Sequence, residues 1–366
     1  MREAPPDRLE RLPAQYFTAL LARVAAASAL EGDPLIDLGR GNPEVGPPPH
    51  VVTALEESAS RPDVHGYAPF AGLPALKEAI VARYAAVYGV ELDASREVAV
   101  LPGTKTGLME FALCAVEHGG SIVLPDPGYP DYFSAVALAG ANLVSFTGFD
   151  VDADAMYLNF PSNPTAATVP NGLFEDAVAW AERTSAWILH DFAYGDLVFD
   201  GHTPRSFLAV DGARDVGIEL FSMSKTYGMA GWRLGFALGN SDLVGRIETL
   251  QDHAFAGIFR PIQEAGIAAL TGPQDSVEDR RATYERRRDR ALSVLGGVDA
   301  QSEGTFFVWF RLPEGVTPES LLEQHRVAVA PGEGFGARGA GWARLSLAVT
   351  DEVLDRGLDR LRTALA

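Results

Sequence analysis

Lysine is nearly absent from this chain. Of 30 basic residues only Lys77, Lys105 and Lys225 are lysines and the other 27 are arginines, so chemistry that needs a primary amine is confined to three positions. Cysteine is scarcer still. Cys114 stands alone, which excludes an intramolecular disulfide framework, and Met1–Asp7 lacks the apolar core of a signal peptide, so the cytoplasm is the expected compartment. No apolar run approaches the roughly 18 residues of a membrane helix, and no membrane partner is expected. Positive charge is in deficit: 30 Lys and Arg face 49 Asp and Glu, and the net charge of −19 argues against nucleic acid as a partner.

What is present is a globular composition. With 47% hydrophobic and 22% charged residues, 366 residues suffice for two to three units of roughly 150 each, and a disordered or stapled miniprotein is excluded. Residues 8–31 carry Leu9, Leu12, Phe17, Leu20, Leu21 and Val24 on a helical period, an amphipathic arm that needs a surface to cover. A helix is expected near 72–88 and another over 106–118. Short apolar strands are expected ending at Leu101 and at Ile122–Leu124, Leu143–Phe146, Met156–Phe160, Ala186–Leu189, Ile218–Phe221 and Leu234–Leu238. This alternation predicts an α/β fold with a mainly parallel seven-stranded sheet sandwiched by helices. Later strands at Phe306–Phe310, Val327–Ala330 and Ala343–Val349 predict a smaller α/β domain. The expected division is an N-terminal arm (1–35) belonging to the small domain or a dimer contact, a large domain (36–260) and a small C-terminal domain (261–366).

In open parallel sheets ligands bind beyond the carboxyl ends of the strands. Polar residues follow five of the predicted strands: Gly103-Thr104-Lys105-Thr106, Pro127-Gly128-Tyr129, Asn163-Pro164-Thr165, Asp191 to Tyr194, and Ser222-Met223-Ser224-Lys225. A glycine turn opening a helix at Gly103–Thr106 presents free N–H groups to a phosphate. Ser222, Ser224 and Arg233 offer two hydroxyls and a guanidinium to the same anion, beside the amine of Lys225. A lysine next to cationic groups and partly desolvated is primed for Schiff-base chemistry, and pyridoxal 5'-phosphate supplies both the aldehyde and the phosphate. Asp191 then faces the pyridinium nitrogen, Asn163 and Tyr194 the phenolic oxygen, and Tyr129 the ring face.

These motifs resemble the fold-type I, class I/II aminotransferases over residues 10–366. The resemblance rests on Asn163-Pro164-Thr165, Asp191 to Tyr194, and Ser222 to Arg233. More narrowly, Leu12 to Phe17, Gly39-Arg40-Gly41-Asn42-Pro43, Pro125 to Tyr132, His190 to Tyr194 and Gln251-Asp252-His253 resemble the bacterial branch that includes methionine-salvage aminotransferases acting on 4-methylthio-2-oxobutyrate. The resemblance implies a pyridoxal-phosphate-dependent aminotransferase moving an amino group between an L-amino acid, methionine-like or otherwise apolar or sulfur-containing, and a 2-oxo acid. It implies a homodimer in which Tyr67 reaches the phosphate of the neighbouring subunit's cofactor. It implies that Arg344 grips the substrate α-carboxylate; independently, Trp342, Arg344, Ser346 and Ala348 alternate with Leu345, Leu347 and Val349, placing Arg344 on the polar face of a strand. Catalytic roles fall on Lys225, Asp191 and Tyr194, substrate contacts on Arg344, Asn163 and Gly41. Arg40 either meets an acidic substrate group or is a solvated surface cation.

Two departures from the family pattern stand out. Ala166 replaces the glycine that usually closes the Asn-Pro-Thr turn, and the chain between Phe146 and Tyr157 lacks room for a helix. A second reaction class shares the same first step: a lyase or γ-substituting enzyme on a sulfur or sulfonium amino acid such as S-adenosylmethionine. Gly334 to Gly339 has dinucleotide-loop spacing but precedes a strand pattern, the seven histidines lack metal-ligand spacing, and no Gly-x-Ser-x-Gly occurs, so no metal or serine hydrolase is expected.

Overall fold

Successive side chains of a strand point to opposite faces, and here both faces are apolar. Val98 and Val100 enter one core while Ala99 and Leu101 enter another; Met156 and Leu158 part from Ala155 and Tyr157 in the same way. A sheet buried on both sides needs helices on both sides, and the α/β architecture follows. The computed structural model of the chain describes residues 7–365, so Met1–Pro6, part of the start read for a signal peptide, lies outside the described residues.

After the short β1 (Ile36–Asp37), the large sheet contains β2 (Val98–Leu101), β3 (Ser121–Leu124), β4 (Asn142–Ser145), β5 (Ala155–Asn159), β6 (Trp187–Asp191), β7 (Gly217–Ser222) and β8 (Gly235–Gly239). Their order is β2-β8-β7-β6-β5-β3-β4, and only the two pairings of β8 are antiparallel. Register brings the site together: Asn159 pairs with Asp191, Asp191 with Leu220, and Gly235 with both Leu101 and Ser222. A Cβ at Gly235 would stand 3.0 Å from Thr104 Cγ2 and 3.1 Å from the Phe221 carbonyl, so glycine lets the two loops close over β8.

The smaller unit adds β9 (Ala300–Gln301), β10 (Phe307–Arg311), β11 (Val327–Ala328), β12 (Ala330–Pro331) and β13 (Trp342–Ser346). The antiparallel sheet is β12-β13-β10-β9, while β11 pairs with β1 instead. The single strand expected at Val327–Ala330 is thus split between two sheets. The arm also differs from one continuous helix: Asp7–Glu10 and Tyr16–Ser28 are separate, because Pro13 lacks the N–H a helix needs and Gln15 caps the second helix at Phe17 N (3.1 Å). Leu20, Val24 and Ala27 of that second helix pack on Trp309, Ala328 and Ala330 of the small sheet. Ala265, Ala269 and Leu270 of the helix Arg260–Thr271 sit in the large core, whereas Tyr284 and Ala291 of the next helix, Asp275–Val294, sit in the small one. The cores therefore change hands within Asp275–Val294. Residues 146–154 form a loop without a helix, and among the described residues no helix is long and apolar enough to cross a membrane.

Candidate active site

The ends of β2, β5, β6 and β7 open into one cavity of about 540 Å³. At one end Gly103, at φ +88°, starts the helix Thr104–Ala115, whose first N–H groups have no intrahelical partner. Arg233 faces it from a left-handed backbone (φ 57°), its Nη1 donating to the Ala230 carbonyl at 2.8 Å. A Cβ on Gly103 would fall 2.7 Å from the Arg233 Cζ, so only glycine admits the guanidinium there. Ser222 and Ser224 are buried beside it, Ser222 Oγ accepting from Ser224 N at 3.2 Å. Lys105 lines the same cavity, but its ammonium is paired with Asp131 Oδ1 at 2.9 Å.

The half-buried Lys225 amine stands at the middle, donating to the Gly41 carbonyl at 3.0 Å. Desolvation, then the positive charges of Arg344 and Arg233, lower its pKa to about 8, against the opposing pull of Asp191. Asp191 closes β6. Its Oδ2 accepts from the Tyr132 hydroxyl at 2.8 Å and its Oδ1 from Ala193 N at 3.2 Å. Burial pushes this carboxyl above its ordinary value, and those two hydrogen bonds, with His190 and Lys225, work against the rise. Asn159 ties the neighbouring strand end in place: its Nδ2 donates to the Asp191 carbonyl (2.8 Å) and its Oδ1 accepts from Asn163 N (2.7 Å). Tyr132 ends the Pro125–Tyr132 run but had no role assigned to it from sequence, and Asn159, an asparagine ending a strand, carries no motif signal.

At the far end Arg344 is 1% exposed, so the polar face expected for its strand is an inner wall. Its Nη1 donates to Asn163 Oδ1 at 2.6 Å and its Nη2 to the Gly39 carbonyl at 3.1 Å, while Nε is buried without a partner. The guanidinium lies 3.9 Å from the Phe307 ring centre and 4.8 Å from that of Phe335. A Cβ on Gly41 would approach Phe307 Cζ to 3.2 Å, so this glycine leaves the space in front of Arg344 free. Asn163 is presented by a turn in which Ala166 takes φ 56°, the positive value glycine usually supplies, held by Ala166 N donating to the Ser162 carbonyl at 2.8 Å.

Tyr194 packs edge-on to Phe306 and Phe307 and lines the cavity, as does Tyr129, which packs against Phe17 and Tyr132. Phe17, Leu20 and Leu21 of the N-terminal helix and Leu108 complete an apolar wall. Arg40 is at the rim with Nε 2.7 Å from Asp37 Oδ2 and a side chain 60% exposed. Tyr67 is 88% exposed and lies outside this cavity. Among the described residues no group of three metal-ligating side chains occurs.

The residues fit pyridoxal phosphate. A glycine with no room for a side chain and two buried hydroxyls make an anion cradle, an amine of lowered basicity faces a buried carboxylate, and an unpartnered guanidinium N–H waits beyond. Residues 33–361 match the family model "Aminotransferase class I and II". The chain is 42% identical to L-glutamine–4-(methylsulfanyl)-2-oxobutanoate aminotransferase of Bacillus subtilis, covering 96% of this chain and 94% of that one. It is 36% identical to LL-diaminopimelate aminotransferase of Moorella thermoacetica over 100% and 99% of the two chains. The substrate-bound structure of BacF from Bacillus subtilis superposes with a TM-score of 0.92 at 36% identity, over 99% and 98%. From a cradle, an amine and a buried carboxylate converging on one cavity, and from matches along almost its whole length, the chain belongs to the class I and II aminotransferases, enzymes that depend on pyridoxal 5'-phosphate.

Proposed function

We propose that the enzyme moves an amino group between a methionine-like or other apolar or sulfur-containing L-amino acid and a 2-oxo acid, both using the same cavity in turn. The observation that carries this reading is the pairing of an inward-facing Arg344 with the apolar wall of Phe17, Leu20 and Leu21. The Moorella relative is named for diaminopimelate, whose second ammonium and carboxylate would need polar partners on that wall. The Bacillus relative is named for a methylsulfanyl oxo acid, which would not. The reported relatives are named for transamination, which favours transfer over elimination or γ-substitution.

Gly103, Thr104, the Lys105 backbone, Ser222, Ser224 and Arg233 hold the phosphate, with Tyr67 of a second copy of the chain completing it in a homodimer. Pyridoxal phosphate, when bound, supplies the aldehyde that captures amines and the ring that spreads the electrons of the substrate α-carbon. Asp191, held by Tyr132, keeps a proton on the ring nitrogen; Asn163 and Tyr194 face the phenolic oxygen and Tyr129 the ring. Arg344 and Asn163 orient the α-carboxylate above Gly41. With the cofactor bound, Lys225 would be the base that moves the proton of the substrate α-carbon, its basicity lowered by burial and by Arg344 and Arg233. The lone Cys114 suits a reducing compartment, and we place the enzyme in the cytoplasm.

Lys225→Ala is expected to lose the visible band of the lysine-bound cofactor together with turnover. Mixing the loaded enzyme with single amino acids should bleach that band fastest with methionine-type substrates and yield a 2-oxo acid plus the aminated cofactor. Ammonia or a thiol as product, or a preference for diaminopimelate or glutamate, overturns the reading.

A further inference from the structure

Asp196 lies five residues beyond Asp191, outside the cavity, and both of its oxygens accept hydrogen bonds. Oδ1 accepts from Arg83 Nη2 at 2.6 Å and from the Tyr88 hydroxyl at 2.9 Å; Oδ2 accepts from Thr226 Oγ1 at 2.7 Å. Asp196, Arg83 and Thr226 are all buried, Thr226 to 1% exposure, and Thr226 is the residue next to Lys225. The guanidinium of Arg83 is wedged between the rings of Phe221 (5.7 Å) and Tyr227 (5.5 Å). Its Nη1 also donates to Gln274 Oε1 at 3.1 Å, an oxygen shared with the Tyr227 hydroxyl at 2.8 Å.

Two features set this cluster apart from ordinary core. Lys225 sits in a single helical turn of four residues, Met223–Thr226, too short to fix its own geometry. Besides the backbone bonds of Tyr227 N to the Met223 carbonyl (3.2 Å) and Met223 N to the Leu234 carbonyl (3.3 Å), side chains anchor that turn: Ser222 Oγ at its start, Thr226 to Asp196 at its end, and Tyr227 to Gln274 just beyond. A buried, paired carboxylate and guanidinium also give little net stability over apolar residues of the same volume, so fold stability alone does not account for them. The carboxylate belongs to the same tight turn as Tyr194, closed by Leu197 N donating to the Tyr194 carbonyl at 2.9 Å. One side chain therefore bridges the loop that follows β6 and the loop that follows β7.

We propose that Asp196 is a positioning residue: through the Thr226 hydroxyl it fixes the lysine turn against the Asp191–Tyr194 loop, setting where the Lys225 amine stands relative to Asp191. The inference rests on the assignment of Lys225 made above. Arg83 neutralises the carboxylate, so the effect is geometric, and it acts on the lysine rather than on the substrate's binding groups.

The test compares Thr226→Val, which keeps the shape and removes the hydroxyl, with Thr226→Ser, which keeps the hydroxyl, in the full-length loaded enzyme. The valine variant should lose about tenfold or more in kcat with KM for the amino acid within about twofold, while serine stays within about threefold of the wild type. In the cofactor-free protein, the pH midpoint for amine labelling of Lys225 should rise in the valine variant, as the amine escapes its desolvated place, and stay put in the serine variant. A valine variant with unchanged kcat and labelling midpoint, whatever its thermal midpoint, overturns the proposal. Borohydride reduction and peptide mapping of both variants should find the cofactor on Lys225; mapping to another residue overturns the Lys225 assignment itself. Should valine prevent folding, Thr226→Ala carries the same readouts.

Discussion

Two guanidinium groups stand at opposite ends of the cavity and are housed differently. Arg233 is solvent-facing, perched over Gly103 on a left-handed backbone. Arg344 is buried, fixed by Asn163 and Gly39, and surrounded by Phe307, Phe335 and Phe17. On the proposed assignment, a phosphate end assembled from many donors spreads its affinity over backbone N–H groups, hydroxyls and one arginine, each modest in a wet setting. A carboxylate end built around one desolvated fork concentrates it, and the fork is oriented before the substrate arrives. Loss of one group should therefore be felt far more at the second end than at the first.

The comparison breaks first at Arg344. Arg344→Ala should cost about a hundredfold or more in kcat/KM for the amino acid, since it leaves a carboxylate and Asn163 without their donor. Arg344→Lys should recover about tenfold at most, because an ammonium cannot reproduce the two-pronged contact. A loss of about fivefold or less in the alanine variant would put the carboxylate elsewhere.

At the other end the expected effect is smaller. Gly103→Ala forces a methyl against Arg233 and a side chain into φ +88°. Titration of cofactor-free protein with pyridoxal phosphate should show affinity about ten- to a hundredfold weaker. Wild-type affinity would mean that the phosphate does not need Arg233 at this spot.

Between the two ends, Lys225 is desolvated and also feels both cations, and its titration reads burial and charge together. The folded pKa of about 8 lies below the ordinary lysine value of 10.5, so between those values the unfolded chain binds more protons and stability rises with pH. Below about pH 8 both states carry the charge and the burden of the buried ammonium is fully present. Cofactor-free Lys225→Met should therefore be more stable than cofactor-free wild type below pH 8, by on the order of 3 kcal/mol, with the gap closing toward pH 10.5. A pH-independent gap in denaturant melts would show that burial and the two arginines do not lower the basicity of this amine.

The smallest effect is expected at Arg40, whose exposed pair with Asp37 is worth about 0–1 kcal/mol. Arg40→Gln should leave kcat/KM for methionine within about threefold. A rise in KM confined to acidic substrates would make it a third, mobile cation of the site.

The strand ends were legible in the sequence because both signals are local: an apolar run of four or five residues, then a polar residue with a glycine, asparagine or aspartate. Direction is not local. β8 has the same apolar character as β7, yet it runs antiparallel, and period-two burial is the same in either sense. The break at Pro13 and the division of Val327–Ala330 between β11 and β12 depend on what lies across from each segment. Asn163, Asp191 and Lys225 were singled out by type and spacing and Arg344 by resemblance and strand alternation, and the fold brings all four to one cavity. Tyr132, Asn159 and Asp196 were given no role, because the bonds that tie them to other elements join residues 30 to 113 positions apart along the chain. Ala166 shows the reverse case: the sequence marked a misfit with glycine, and the backbone pays the left-handed conformation without one.

The helix Tyr16–Ser28 roofs the cavity with Phe17, Leu20 and Leu21 and is pinned at its start to both units, through Gln15 to Asp131 (2.8 Å) and Tyr16 to the Pro331 carbonyl (2.8 Å). On the proposed function, selectivity is then set at the front of the polypeptide, far in sequence from the loops that follow β6 and β7. On that proposal, fusion partners or trimming near that end are expected to alter which compounds are accepted while leaving cofactor loading intact, and libraries aimed at new amino donors should start at positions 17, 20 and 21.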